Sequence, residues 1–120
     1  MNRRTNVRYL ALVVAMVFFA AVAAAQNLSE TLRTVHGVVL DKSDAPAVSA
    51  IVFLKNARNN DVRSYITNDA GEYRFSGLDP NSDYEIHAEK DEAKSATRTV
   101  SSFDSRTDIV LNLKLDKKKS

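Results

Sequence analysis

Thr67-Asn68-Asp69-Ala70-Gly71-Glu72-Tyr73-Arg74-Phe75 decides how the rest of this chain is read. Asn, Asp and Gly tolerate the left-handed backbone that tight turns need, and Gly71 stands where a positive φ is expected. Beyond the turn, Tyr73 and Phe75 alternate with Glu72 and Arg74, so one side of the segment is aromatic and the other charged. That is the period-two pattern of a half-buried strand. The stretch predicts a hairpin: Val62 to Thr67 leading in, a three-residue loop with a glycine bulge, and Glu72 to Phe75 leaving as the paired strand.

The same period extends in both directions. Thr34 to Asp41, Ala50 to Lys55, Tyr84 to Lys90, Lys94 to Ser101 and Thr107 to Leu115 read as further strands. Between them lie turn chemistry at Asp44 and Pro46, an Asn59-Asn60-Asp61 turn, and a wide turn over Gly77 to Asp83. No window carries a helical stripe. Seven short strands at spacings of 8 to 14 residues point to an antiparallel β-sandwich. Alternation assigns its core: Val35, Gly37 and Val39; Ala50, Val52 and Leu54; Tyr73 and Phe75; Tyr84, Ile86 and Ala88; Ile109, Leu111, Leu113 and Leu115.

The beginning of the chain is different. Met1 to Tyr9 is basic, Leu10 to Ala24 is uninterrupted apolar sequence, and Ala23-Ala24-Ala25 is a small-x-small cleavage pattern. Residues 1–25 therefore read as a helical signal peptide cleaved before Gln26, with membrane contact only until cleavage. Residues 26–33 read as a linker or frayed arm, 34–115 as the sandwich, and 116–120 as a basic, solvated tail. The whole chain of 120 residues has a formal charge of +2, with Lys and Arg at 17 against Asp and Glu at 15. The leader contributes Arg3, Arg4 and Arg8 and no acid, so the remainder carries 14 basic and 15 acidic residues, a net of −1. This balance gives no reason to expect nucleic-acid binding. There is no cysteine and no tryptophan, which excludes disulfides, thiolate metal sites and a cysteine nucleophile. Export places the working chain in the periplasm or outside the cell.

In order, Val35-x-Gly37-x-Val39-x-Asp41, Pro46-x-x-x-Ala50-x-Val52-x-Leu54 and Thr67-Asn68-Asp69-x-Gly71-x-Tyr73-x-Phe75-x-x-Leu78-x-Pro80-x-x-x-Tyr84 resemble the carboxypeptidase regulatory-like domain. The resemblance covers about Thr34 to Leu115 and implies a seven-stranded Greek-key sandwich of prealbumin type, with no cofactor and no catalytic residue in the motif. Gly37, Asp41, Thr67, Asp69, Gly71, Tyr73, Phe75 and Tyr84 are then scaffold residues. Thr67 and Asp69 are expected to brace the turn, and Tyr84 to close the core. The chain departs from the family pattern at Asp44, at Ser49, at Asp83 and at Glu92, where glycine or a small residue is usual. Each departure puts a side chain where the backbone prefers none, at about 1 kcal/mol.

Candidate sites weigh lightly. His36 and His87 are out of phase with the core and read as solvated strand residues rather than metal ligands. Asp79-x-Asn81-x-Asp83 has the oxygen spacing of a calcium loop, but Tyr84 and Lys90 stand where that loop needs glycine and glutamate. No serine stands in a strained elbow, and no carboxylate lies in an apolar segment. The expectation is a non-enzyme. Val38 and Leu40 on the first strand, with Ile51 and Phe53 on the second, face away from the core. If these strands pair, the four form an outer apolar patch, either covered by the arm through Leu28 and Leu32 or open to a protein partner or a second copy. The expected function is an exported interaction, structural or accessory module. A carbohydrate-binding module is the alternative, with only Tyr65, Phe53 and Phe103 left as platforms for a sugar.

Overall fold

The computed structural model describes residues 31–119. The leader and most of the expected arm lie outside the described residues. Every regular element in them is a strand. Two sheets form the sandwich. The first has the order β4 (Glu72–Leu78), β1 (Arg33–Leu40), β8 (Asp108–Val110), with β9 (Leu113–Lys114) also on β1. The second runs β10 (Lys117–Lys118), β6 (Ala93–Lys94), β5 (Tyr84–Lys90), β2 (Ile51–Asn56), β3 (Val62–Ile66), with β7 (Arg98–Val100) also on β5.

The core sits between the sheets where alternation put it, except that Leu111 is only partly buried against it. Val35, Val39, Ala50, Val52, Leu54, Tyr73, Phe75, Tyr84, Ile86, Ala88, Ile109, Leu113 and Leu115 are all buried, joined by Leu78, Val100 and Ala47. Burial of each larger side chain contributes roughly 1.5–3 kcal/mol.

Strand pairing differs from the local reading in four places. β3 and β4 do not form a hairpin: β3 pairs β2 and β4 pairs β1. The Asn68–Gly71 turn exists, with Gly71 N–H donating to Asn68 O at 2.9 Å, but it carries the chain from one sheet to the other. β1 pairs with β8 and β9 in parallel, the exception in an otherwise antiparallel fold. The sixth and seventh expected strands are each broken in two. Finally, Arg33 is not in an arm but begins β1, and Lys117–Lys118 is not a free tail but pairs β6.

The break between β8 and β9 explains Gly37. Leu111 bulges over β1, its N–H donating to His36 O at 2.9 Å and its carbonyl accepting the Tyr73 hydroxyl at 2.5 Å. A Cβ on Gly37 would lie 1.9 Å from that carbonyl oxygen. Burial pushes the Tyr73 phenol well above its ordinary pKa, so it stays a donor. Gly71 has φ +72 and no room either, since a Cβ would sit 2.7 Å from Val39 O.

Other motif residues hold loops. Asp41 Oδ1 accepts the Ser43 and Ala45 N–H groups. The Tyr84 hydroxyl accepts Asp79 N–H at 2.8 Å. Thr67, expected to brace its own turn, instead accepts Ala50 N–H and donates to Ala47 O at 2.6 Å, tying the end of β3 to the β1–β2 loop. The turn itself is braced by Asn68 rather than Asp69: Asn68 Oδ1 accepts from Ala70 and Glu72. Asp44 and Ser49 do take positive φ, 65 and 58°, as their mismatch with the family pattern implied. At the β5–β6 tip the left-handed residue is Asp91 (φ 52), not Glu92.

Candidate functional site

β1 and β2 lie in different sheets, so the four outward apolar residues do not make one patch. Val38 and Leu40 are half-buried on the outside of the first sheet, and Ile51 and Phe53 face outward on the second. The expected juxtaposition fails because facing outward is a local property, whereas sharing a sheet is decided by long-range pairing.

The second sheet supplies the larger apolar surface, from strands β2, β3 and β5. Registers place Ile66 beside Ile51, Ser64 beside Phe53 and Val62 beside Lys55. On the other side of β2, Glu89, His87 and Glu85 stand beside the same three residues. Ile66 is 66% exposed, Val62 59% and Ile51 39%. Phe53 is half-buried because the His87 ring stacks on it, centroids 5.2 Å apart and planes 21° from parallel. Phe53, Lys55, Val62, Glu85, His87, Glu89 and Thr97 line a shallow cavity of about 290 Å³. His87 Nε2 lies 3.7 Å from Glu89 Oε2. Val62 and Ile66 were not singled out in the sequence, although Val62, Ser64 and Ile66 share one phase of a strand without a polar face.

β3 is the outermost strand of this sheet, and all five of its residues are exposed. Its two inner-phase side chains reach across to the edge of the first sheet. The Arg63 guanidinium lies 5.6 Å from the Phe75 ring centroid and donates to Ser76 O at 3.0 Å, and Tyr65 meets Phe75 edge-on.

The remaining candidates hold structure. His36 pairs with Asp108 at 3.1 Å on the outside of the first sheet. Asp79 Oδ1 accepts Asn81 N–H within its own turn and Asp83 Oδ1 accepts Ser102 N–H from the loop after β7, so the carboxylates of the calcium-like turn hold loops. Among the described residues no cluster of three His, Cys, Asp or Glu could hold a metal ion. Arg33 is 98% removed from solvent and donates to Ser101 O, Asp79 O and Ser82 O, with Tyr84 beneath it. It clamps the loops that follow β4 and β7 to the start of β1. The second loop is braced further by Asp104, which the Arg106 side chain holds down to a pKa of about 2. It presents Phe103 at 95% exposure.

Comparisons agree with this architecture. Comparison with curated proteins finds no match. Among solved structures, catechol 1,2-dioxygenase from Acinetobacter sp. ADP1 superposes with a TM-score of 0.55 at 15% identity, over 71% of this chain and 52% of that one. The major pilin subunit BcpA of Bacillus cereus gives 0.55 at 13%, over 73% and 31%. The shaft pilin SpaA of Lactobacillus rhamnosus GG gives 0.51 at 11%, over 77% and 49%. This chain thus spans about half of the dioxygenase and under a third of BcpA, and at these identities only the sandwich is shared. Sequence is more specific. The carboxypeptidase regulatory-like domain profile matches residues 34–116, from β1 to just past β9, and takes in the Gly37, Gly71 and Tyr73 positions whose packing is described above. On that match, which covers more than half of its length, the chain belongs to the carboxypeptidase regulatory-like domain family.

Proposed function

We propose that this chain is an exported, non-enzymatic sandwich module that works by protein–protein contact at the cell envelope, through the outer side of β2, β3 and β5. One observation carries the reading. Ile51 and Ile66 stand exposed side by side, Phe53 next to Ile51 shares a cavity with exposed Val62, and this apolar surface ends at an open strand edge. Contiguous exposed apolar surface of this kind marks partner binding more often than isolated residues do. Export rests on the leader sequence of residues 1–25. The family is a regulatory-like domain rather than a catalytic one, which suits an accessory or structural role.

The glycan reading has one observation in its favour, the shallow cavity that sets Phe53 beside the polar side chains of Lys55, Glu85 and Glu89. Against it, Phe53 already stacks on His87, Tyr65 packs on Phe75, and Phe103 stands apart on the loop after β7. No two free aromatic faces converge on one sugar. The test is the double change Ile51→Ser, Phe53→Ser in the exported chain. It should leave the fold intact by melting and abolish capture of a protein from envelope extract. Unaltered capture, or binding to a glycan array that the change removes, would overturn the reading.

A further inference from the structure

We infer that the open edge of β3 pairs antiparallel with the β3 edge of a second copy of this chain, about a two-fold axis through Ser64. This rests on the reading of that side of the molecule as a protein-binding surface, and it names the partner. The peptide directions are set by neighbouring bonds. Thr67 N–H donates to Ala50 O, and Asn56 N–H donates to Asp61 O, so residues 61 and 67 turn their peptide groups toward β2. In an antiparallel ladder this alternates. Val62, Ser64 and Ile66 therefore turn their N–H and C=O groups to the open edge, where among the described residues no strand pairs with them.

The strand is self-complementary. With Ser64 facing Ser64 of the second copy, Val62 faces Ile66 and Arg63 faces Tyr65, each pairing occurring twice. The residues with outward peptide groups then fall opposite one another, which is the parity that closes hydrogen-bonded pairs. Val62 and Ile66 extend the apolar surface across the junction, and each Arg63 stands opposite a Tyr65 of the other copy, so no like charges meet. Shifting the register one way puts Arg63 opposite Arg63, and shifting it the other way loses the Val62–Ile66 pairs. Edge strands that avoid pairing use charged side chains, above all lysine, proline, bulges or shortness. The opposite edge of the same sheet does so, as the two-residue lysine strand β10. β3 has five residues and no proline, lysine or glycine, and its one charge, Arg63, is turned inward to Ser76 O and the Phe75 ring.

The experiment uses the chain purified after export, by sedimentation equilibrium and by oxidative cross-linking. The parent is expected to form a dimer. Ser64→Pro removes the N–H on the axis but none that β2 uses, and should weaken the dimer about tenfold through two lost hydrogen bonds. Tyr65→Arg sets Arg against Arg and should also dissociate it, and adding Arg63→Glu should restore it. The chain has no cysteine, so Ser64→Cys reports the axis directly. Hydrogen-bonded antiparallel pairs lie about 5.5 Å apart at Cα, within the disulfide range. Ser64→Cys should cross-link far faster than Phe103→Cys, the more exposed position. A parent that stays monomeric, equal cross-linking rates, or a dimer indifferent to Ser64→Pro would overturn the inference. If in those cases Ile51→Ser, Phe53→Ser still abolishes partner capture, the edge pairing fails while the interaction reading stands.

Discussion

A single methyl group added at Gly37 should be among the most damaging small changes in this sandwich. The Cβ of Gly37→Ala would stand 1.9 Å from Leu111 O, whereas ordinary contact begins at 3.4 Å, so the bulge must retreat by 1.5 Å. Three bonds depend on its position: Leu111 N–H to His36 O, Tyr73 Oη–H to Leu111 O, and Val38 N–H to Asn112 Oδ1. At about 0.5–1.5 kcal/mol each, their loss gives roughly 2–4 kcal/mol. Gly77→Ala isolates the other way a glycine can matter. Gly77 has φ +70 but nothing within 4 Å of a Cβ, so only backbone strain of about 1 kcal/mol is expected. Urea denaturation of parent and both variants, with slopes compared, decides between them. If Gly37→Ala costs no more than Gly77→Ala, the packing of the Leu111 bulge on β1 is not what fixes Gly37.

Three further outcomes follow from the loops and the clamp. Ser49→Gly, at φ 58, should raise stability by about 0.5–1 kcal/mol in the same assay, because relief of left-handed strain exceeds the added chain entropy. Arg33→Met leaves three carbonyls without their charged donor and should destabilise by about 3 kcal/mol or more, read by thermal melting. The Asp104 carboxylate should titrate with a midpoint of about 2 by carbon NMR, held down by Arg106, and Asp83 should also titrate low through the Ser102 N–H. Because both folded values lie below the unfolded one, their contribution is complete above about pH 4 and fades as pH falls through the folded values. The loop carrying Phe103 should therefore keep its amide protection at pH 4 and lose it only near pH 2.

The fold was legible because the core alternates without interruption along each long strand, and Val35, Val52, Tyr73 and Ile86 needed only that local signal. Arg33 shares the phase of Val35 and Val39, but a charged residue at a strand start reads as solvent-facing unless its acceptors are known. Those acceptors lie far along the chain, on Asp79, Ser82 and Ser101. Thr67 and Ser95 were hidden for a related reason. Each is buried by bonding to backbone groups, Ala50 and Ala47 for one and Ala88 for the other, and polar side chains carry no periodic mark of this. The placement of β1 and β2 in separate sheets was the largest loss for the site. Outward phase was correct for Val38, Leu40, Ile51 and Phe53, yet their neighbours were not. Val62 and Ile66, the most exposed apolar residues beside Ile51, became visible only once β3 was seen at the sheet edge.

The most direct test that β2, β3 and β5 form a surface for a second copy of the chain is methyl relaxation by a soluble paramagnetic probe, recorded on dilute and concentrated samples of the purified chain. Ile51, Val62 and Ile66 should be accessible when dilute and shielded when concentrated, while Val110, 54% exposed on the first sheet, should stay accessible throughout. Equal accessibility of Ile51, Val62 and Ile66 at every concentration, or shielding that appears at Val110 instead, would contradict the account.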